Sequence, residues 1–423
     1  MSKRIYRAIS VKRVNASELV ARANKRLVLG CDAAKEKWYG VWKNEDAEIL
    51  RTMRWDLTQD HAEFMALLME VRDAGTAVEV AVEPTGTYAD ALVGQLLDAG
   101  FDVYRVSTKH SHDYQEIYDG VPSGHDAKSA GIVAKLHMDR KCRPWRRQDT
   151  SRRILRVLAD ELDWIKQEEL RTLNRLESRL ARYWPELLRL VDLQRVTTME
   201  LLACYGGPAA VAADAEQAEA SMRRWSRHML SAEKIVSVIA AAHSTMGESM
   251  LDVEQRQVQK LAQRLKQLRQ QRKEAEGALE QQVEAEDALS PISEMVGVAT
   301  AGILHARLGD FRDYGSVRAL QRGAGLNLRE HSSGKKKGQL TITKRGSSVA
   351  RRWLFLAALR WMRSDPTARA WYNRKVQHNG GTKLKAVIAL MRKLLAALYY
   401  IARGVDYDAS KLFDTKRLQL PAR

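Results

Sequence analysis

Short apolar runs alternate with amphipathic stripes over the first third of the chain. KRLVLGCD (Lys25–Asp32) is a compact apolar run closed by an acid, and KWYGVWKN (Lys37–Asn44) follows closely enough to pair with it as a hairpin. HAEFMALLMEVRDAG has helical spacing, and TAVEVAVE (Thr76–Glu83) is a second strand, again closed by an acid. YADALVGQLLDAG reads as helix and FDVYRVS as a third strand. DAKSAGIVAKLH reads as a helix with Asp126 near its start. Such alternation predicts an α/β layer.

The middle of the chain is helical. From Thr150 to Val191 the pattern is long and amphipathic, with Leu162, Ile165, Leu173, Leu176 and Leu180 on one stripe. From Val258 to Leu279 a heptad runs through Val258, Leu261, Leu265, Leu268, Ala275 and Leu279. That seam serves either an intramolecular bundle or a dimerising coiled-coil arm. The last part starts near Leu289, where MVGVATAGIL reads as a turn between helices. GLNLREHSSGKKKGQLTITKRGSS reads as a glycine- and lysine-rich loop holding one strand-like piece, QLTIT. ARRWLFLAALRWMRSD and the Leu384–Ala402 segment read as strong helices. The expected architecture is α/β plus α in three parts: residues 1–148, a helical or coiled-coil region 149–288, and a mainly helical part 289–423.

Charge narrows the partners. Seventy Lys and Arg against 52 Asp and Glu leave +18 over 423 residues, with a pI near 9.8. That balance favours a polyanion, because each neutralised phosphate releases condensed counterions. The most apolar late stretch, LKAVIALMRKLLAALYYIA, is broken by Arg392 and Lys393 and does not read as a membrane span. The basic start lacks the apolar block of a signal peptide. Cys31, Cys142 and Cys204 are too dispersed for a disulfide framework or a zinc site, which fits a reducing cytoplasm.

Two constellations carry candidate chemistry. Asp32 and Glu83 each close a strand; in an α/β sheet neighbouring strand ends converge on one edge, and the helix begun by Asp126 could pack across that edge. Three converging carboxylates repel unless a cation sits among them, and oxygen-only ligands suit Mg²⁺ or Mn²⁺. Singly, each acid reads as a structural cap or turn residue; together, in so basic a chain, they favour the metal reading. The second constellation is Ser332–Ser333, followed by Gly334, Lys335, Lys336 and Lys337, with Lys344 and Arg345 further on. The cations and glycine amides suit phosphate, and a serine there either attacks phosphorus or only hydrogen-bonds it. His331 adjoins the pair without a defined facing. The small residues of MVGVATAG, Gly297 and Ala299, suit a helix–hairpin–helix turn whose amides meet a phosphate.

Taken in order, these pieces resemble the DEDD-type insertion-sequence transposases of the IS110 group. GCDAAKE, VEPTG and HDAKSAGIVAKL carry the likeness in front. MVGVATAGIL, the run from GDFRDYG to SSGKKKG, and LTITKRGSSVARRWLFLAAL carry it behind. The resemblance implies an RNase H-like front domain of the Holliday-junction-resolvase type that binds Mg²⁺ through Asp32, Glu83 and Asp126. It implies a rear transposase domain whose serine nucleophile maps to Ser332 or Ser333, and a composite centre formed between protomers of a dimer or tetramer. The partners implied are donor and target DNA and a noncoding bridge RNA that pairs with both. One position departs: the family's second helix aspartate, three residues after the first, is Ser129 here. Asp119 or water then stands as the candidate fourth ligand. A metal-dependent, structure-selective nuclease and a non-catalytic nucleic-acid-binding protein are the competing functions.

Overall fold

The computed structural model describes residues 7–121, 124–147, 149–333 and 336–418; at residues 331–333, 336, 337 and 339 it describes the backbone alone. The chain divides into two compact units, 1–148 and 149–423.

The first unit is built on a seven-stranded mixed sheet. Its strands are β1 (Ile9–Ser10), β2 (Arg26–Asp32), β3 (Lys37–Lys43), β4 (Ile49–Asp56), β5 (Ala77–Glu83), β6 (Asp102–Arg105) and β7 (Arg143–Pro144), in spatial order β1-β4-β3-β2-β5-β6-β7. β2, β3 and β4 form an antiparallel meander, whereas β5 and β6 join β2 in parallel. The expected β2–β3 hairpin is present. β4 was not among the expected strands, because ILRTMRWD mixes charge into its alternation. Its Met53 and Trp55 nevertheless point into the core beside Trp38 and Phe64. The helices are α1 (Ala16–Val20), α2 (His61–Asp73), α3 (Asp90–Asp98), α4 (Thr108–Asp119) and α5 (Asp126–Met138). α4 also went unread, since TKHSHDYQEIYD (Thr108–Asp119) shows little apolar stripe; only Ser111 is buried along it.

Close packing of α5 on the sheet depends on one glycine. A Cβ on Gly30 of β2 would lie 2.3 Å from the Ala130 carbonyl oxygen and 2.4 Å from the Ala134 nitrogen. The helix face that meets it is small, Ala127, Ala130 and Ala134, all fully buried. Backbone therefore lies nearly on backbone, and the start of α5 is drawn toward the end of β2.

The second unit is mostly helical. α6 (Thr150–Tyr183) starts on the Asp149 cap, whose carboxylate accepts from the Arg152 amide, and stops before Pro185, which disfavours helix at the residue ahead of it. Shorter helices fill residues 187–243. α7 (Asp252–Glu284) packs along α6, and the expected heptad face is covered by this chain's own side chains: Val258 and Leu265 meet Leu176 and Leu180. The core continues past residue 288. Leu155, Leu162, Leu268 and Leu279 share one cluster with Leu304, Leu354 and Leu394, from α9 (Val298–Leu308), α10 (Ser348–Ser364) and α11 (Lys383–Ile401). α8 (Ser290–Val296) and α9 meet at Gly297, whose φ of 84° suits glycine. In α11, Arg392 bonds Gln321 and Lys393 lies over the Trp371 and Phe413 rings. Among the described residues, no helix is long and apolar enough to cross a membrane.

The expected loop after Asn327 is a β-hairpin instead. β8 (Leu328–Ser333) pairs antiparallel with β9 (Lys336–Ile342), with a register shift between His331 and Ser333. The alternation is polar on both faces, which hid β8 from a reading based on apolar residues. Its foot is tied down: the Thr343 amide donates to the Asn327 carbonyl at 2.9 Å, and Arg351 donates to the Ala324 and Gly346 carbonyls.

Candidate active site

Asp32 and Glu83 are the last residues of β2 and β5 and are direct cross-strand partners. The apolar runs before them put both strands in the sheet centre, so both acids emerge at the same edge. Glu83 is 8 % exposed. The turn that follows has Gly86 at φ 60° and the Tyr88 amide on the Thr85 carbonyl, which sends the chain away from the edge. Asp126 opens α5 and is exposed; His125 caps that helix by accepting from the Ala127 amide through Nδ1 at 3.1 Å.

The electrostatics register the convergence. Burial pushes the Asp32 carboxyl up to about 7, and the charges of Glu83 and Asp126 push in the same direction. Burial also raises Glu83, while a hydrogen bond from the Ser111 hydroxyl opposes that rise. The same hydroxyl stands 3.4 Å from the Ser107 carbonyl, so one proton serves two acceptors. Burial raises a carboxyl because it disfavours the charged form, and like charges beside it add to that rise.

The donor set fits a hard divalent cation: three carboxylates, all oxygen, with mutual repulsion to relieve. As they lie, no three His, Cys, Asp or Glu side chains among the described residues close a metal shell. Asp119 does not join them. It is ion-paired at 2.6 Å with Lys128, which is 1 % exposed, and accepts from the Val121 amide. Ser129 sits half-buried one turn beyond Asp126.

Sequence reasoning missed three residues around this edge. Ser111 lies against Glu83. Tyr39 is the β3 partner of Asp32 and stands edge-on to His125 with centroids 6.2 Å apart. Gly30 was visible as an isolated glycine inside a strand, a known mark of close backbone approach. Ser111 and Tyr39 had no comparable signal.

The serine constellation belongs to the second unit. Ser332 and Ser333 end β8, and Ser333 pairs with Lys336 across the hairpin. Gly334 and Lys335 lie outside the described residues, as do the side chains of His331, Ser332, Ser333, Lys336 and Lys337. Lys344 follows the hairpin at φ 55°, its amide on the Gly325 carbonyl, and the Arg345 amide approaches the Thr343 hydroxyl at 3.4 Å. A Cβ on Gly297 would meet open space.

Two family models match the chain. The DEDD transposase model of IS110 covers residues 29–185, and the model described as Transposase IS116/IS110/IS902 family covers residues 293–373. Together they span more than half of it. The chain belongs to the IS110 family of transposases. Two relatives agree with this. The insertion element IS110 uncharacterized 43.6 kDa protein of Streptomyces coelicolor is 27% identical over 74% of this chain and 79% of its own length. The insertion element IS900 uncharacterized 42 kDa protein of Mycobacterium paratuberculosis is 26% identical over 88% of this chain and 95% of its own. A transposase of this family acts on DNA, and a DEDD-type domain implies use of a divalent metal.

Proposed function

We propose that this transposase cleaves, exchanges and rejoins donor and target DNA strands through a serine nucleophile working with metal-binding acids. The observation that carries the reading is the meeting of Asp32, Glu83 and Asp126 at one sheet edge, with Asp32 held up to about 7. The strand order, an antiparallel meander extended by two parallel strands, supports an RNase H-like domain of the Holliday-junction-resolvase type. Asp32, Glu83 and Asp126 would hold Mg²⁺ or Mn²⁺, which when bound neutralises charge and acts as a Lewis acid at a phosphodiester.

The reaction then runs in two transfers. The hydroxyl oxygen of Ser332 or Ser333 attacks phosphorus and gives up its proton; the phosphoserine bond forms as the bond from phosphorus to the strand oxygen breaks, and that oxygen takes up a proton to leave as a free hydroxyl. The hydroxyl of the incoming strand then attacks that phosphoserine and loses its proton; the bond from phosphorus to the serine oxygen breaks, and the serine regains its proton, so bond count and energy are conserved. Gly297, Gly334, Lys335, Lys336, Lys337, Lys344 and Arg345 would grip phosphate. The acids of one protomer and the serine of another would form the composite centre in a dimer or tetramer. A noncoding bridge RNA would choose the sites by base pairing, which suits a chain with net charge +18 that grips backbone rather than reading bases. The work would take place in the cytoplasm, on the nucleoid.

The test separates this reading from a metal-only nuclease. Strand exchange should vanish in Asp32→Asn and also in the double variant Ser332→Ala/Ser333→Ala, while both still bind nucleic acid. Cleavage that survives the serine change but not the acid change would establish the nuclease instead. Activity that survives both would refute any catalytic role for these groups.

A further inference from the structure

Helices α6 and α7 leave between them a groove of about 600 Å³, lined by Asn174, Arg175, Ser178 and Arg179 from α6 and by Gln257 and Leu261 from α7. Its floor follows from the heptad seam, where Val258 and Leu265 are buried and Leu261 is only half-covered. From Gln255 to Lys273, α7 carries seven Lys or Arg, seven Gln and no acid. Lys266, Arg269 and Arg272 are taken up by Glu200 and Glu169. Lys260 and Arg264 are not, and each stands three residues beyond a groove-lining residue, on the same side of the helix. Among the described residues, none of the side chains of Asn174, Arg175, Ser178, Gln257, Lys260 and Arg264 makes a hydrogen bond or ion pair. Four cations around one groove repel each other; the Glu254 carboxylate offsets Arg179 in part, and among the described residues Arg175, Lys260 and Arg264 are ion-paired with no acid.

We propose that this groove holds the sugar–phosphate backbone of RNA. The proposal deepens the function above and rests on it only in taking nucleic acid as the partner. Arg175, Arg179, Lys260 and Arg264 would meet phosphate oxygens, which only accept. Asn174 and Gln257 also present acceptor oxygens, and a DNA backbone has no donor for them. The RNA 2′-hydroxyl is such a donor.

The full-length chain is titrated with an RNA hairpin and with the DNA hairpin of the same sequence over a salt series. In Arg175→Gln/Arg179→Gln/Lys260→Gln/Arg264→Gln, the log–log salt slope for RNA becomes shallower by about 3, since each lost phosphate contact removes roughly 0.7–0.9. The charge-retaining Asn174→Leu/Gln257→Leu weakens RNA several-fold and leaves DNA unchanged. Thermal melting of both variants stays near the wild-type value, since every substituted position is exposed except the half-buried Arg179. An unchanged RNA slope in the first variant, or equal weakening of RNA and DNA in the second, overturns the proposal while the function above stands. Preference of the wild-type groove for a poly-glutamate peptide over RNA overturns it as well. A wild-type chain that binds neither hairpin overturns both.

Discussion

Gly30→Ala is the sharpest test of how the fold builds the site. The added methyl would sit 2.3 Å from the Ala130 oxygen, 2.4 Å from the Ala134 nitrogen and 2.7 Å from the Ala134 Cβ. Ordinary contact begins near 3.4 Å, so α5 must retreat from β2 by about 1 Å. No rotamer change relieves this, because the two nearest atoms are helix backbone. Overpacking of this kind costs about 1–3 kcal/mol. For a unit of this size each kcal/mol lowers the melting temperature by about 2–4 °C. The retreat also carries Asp126 away from Asp32 and Glu83, and a misplacement of about 1 Å costs on the order of 100-fold in rate. The assays are a thermal melt and strand cleavage on a DNA substrate. Adding Ala134→Gly should not rescue either, since it removes only the farthest of the three clashes. A Gly30→Ala protein with wild-type melting and cleavage would refute the packing argument.

Three further outcomes follow from the same edge. Asp32 has a folded pKa near 7 against an ordinary 3.8, so the folded state binds the extra proton between those values, and its stability falls as pH rises through that window. The loss reaches up to about 4 kcal/mol; Asp32→Asn should therefore be more stable than wild type at pH 8 without divalent metal, and the gap should close toward pH 4 in chemical denaturation. Ser111→Ala removes the donor that opposes the rise of Glu83, so the acidic limb of the cleavage pH profile should move to higher pH. Lys128→Met leaves the Asp119 carboxylate without its buried partner and should cost about 3 kcal/mol in urea unfolding.

The acids were legible because the sequence marks them twice. VLGCD and VEVAVE are apolar runs that end abruptly in a carboxylate, and DAKSAG opens with one where a helix must begin. Periodicity could place each residue at an element's end; it could not show that β2 and β5 are neighbours, which is a matter of long-range pairing. β4 and α4 escaped because their sequences are too charged to show a stripe, although Trp55 and Ser111 have buried partners. QLTIT marked part of β9, whereas β8 and its pairing escaped for the same reason, LREHSS being polar on both faces. The heptad left two readings open, and the packing of Val258 and Leu265 on α6 accounts for it within one chain. The groove beside that seam was invisible, because it depends on which cations find acids in other helices.

The most direct measurement is to trap the protein on a cleavable DNA substrate and map the attachment by mass spectrometry. A phosphodiester link at Ser332 or Ser333, absent when Asp32 is changed to Asn, is the predicted result. A link to any other residue, or cleavage in the presence of metal with no link at all, would contradict the account.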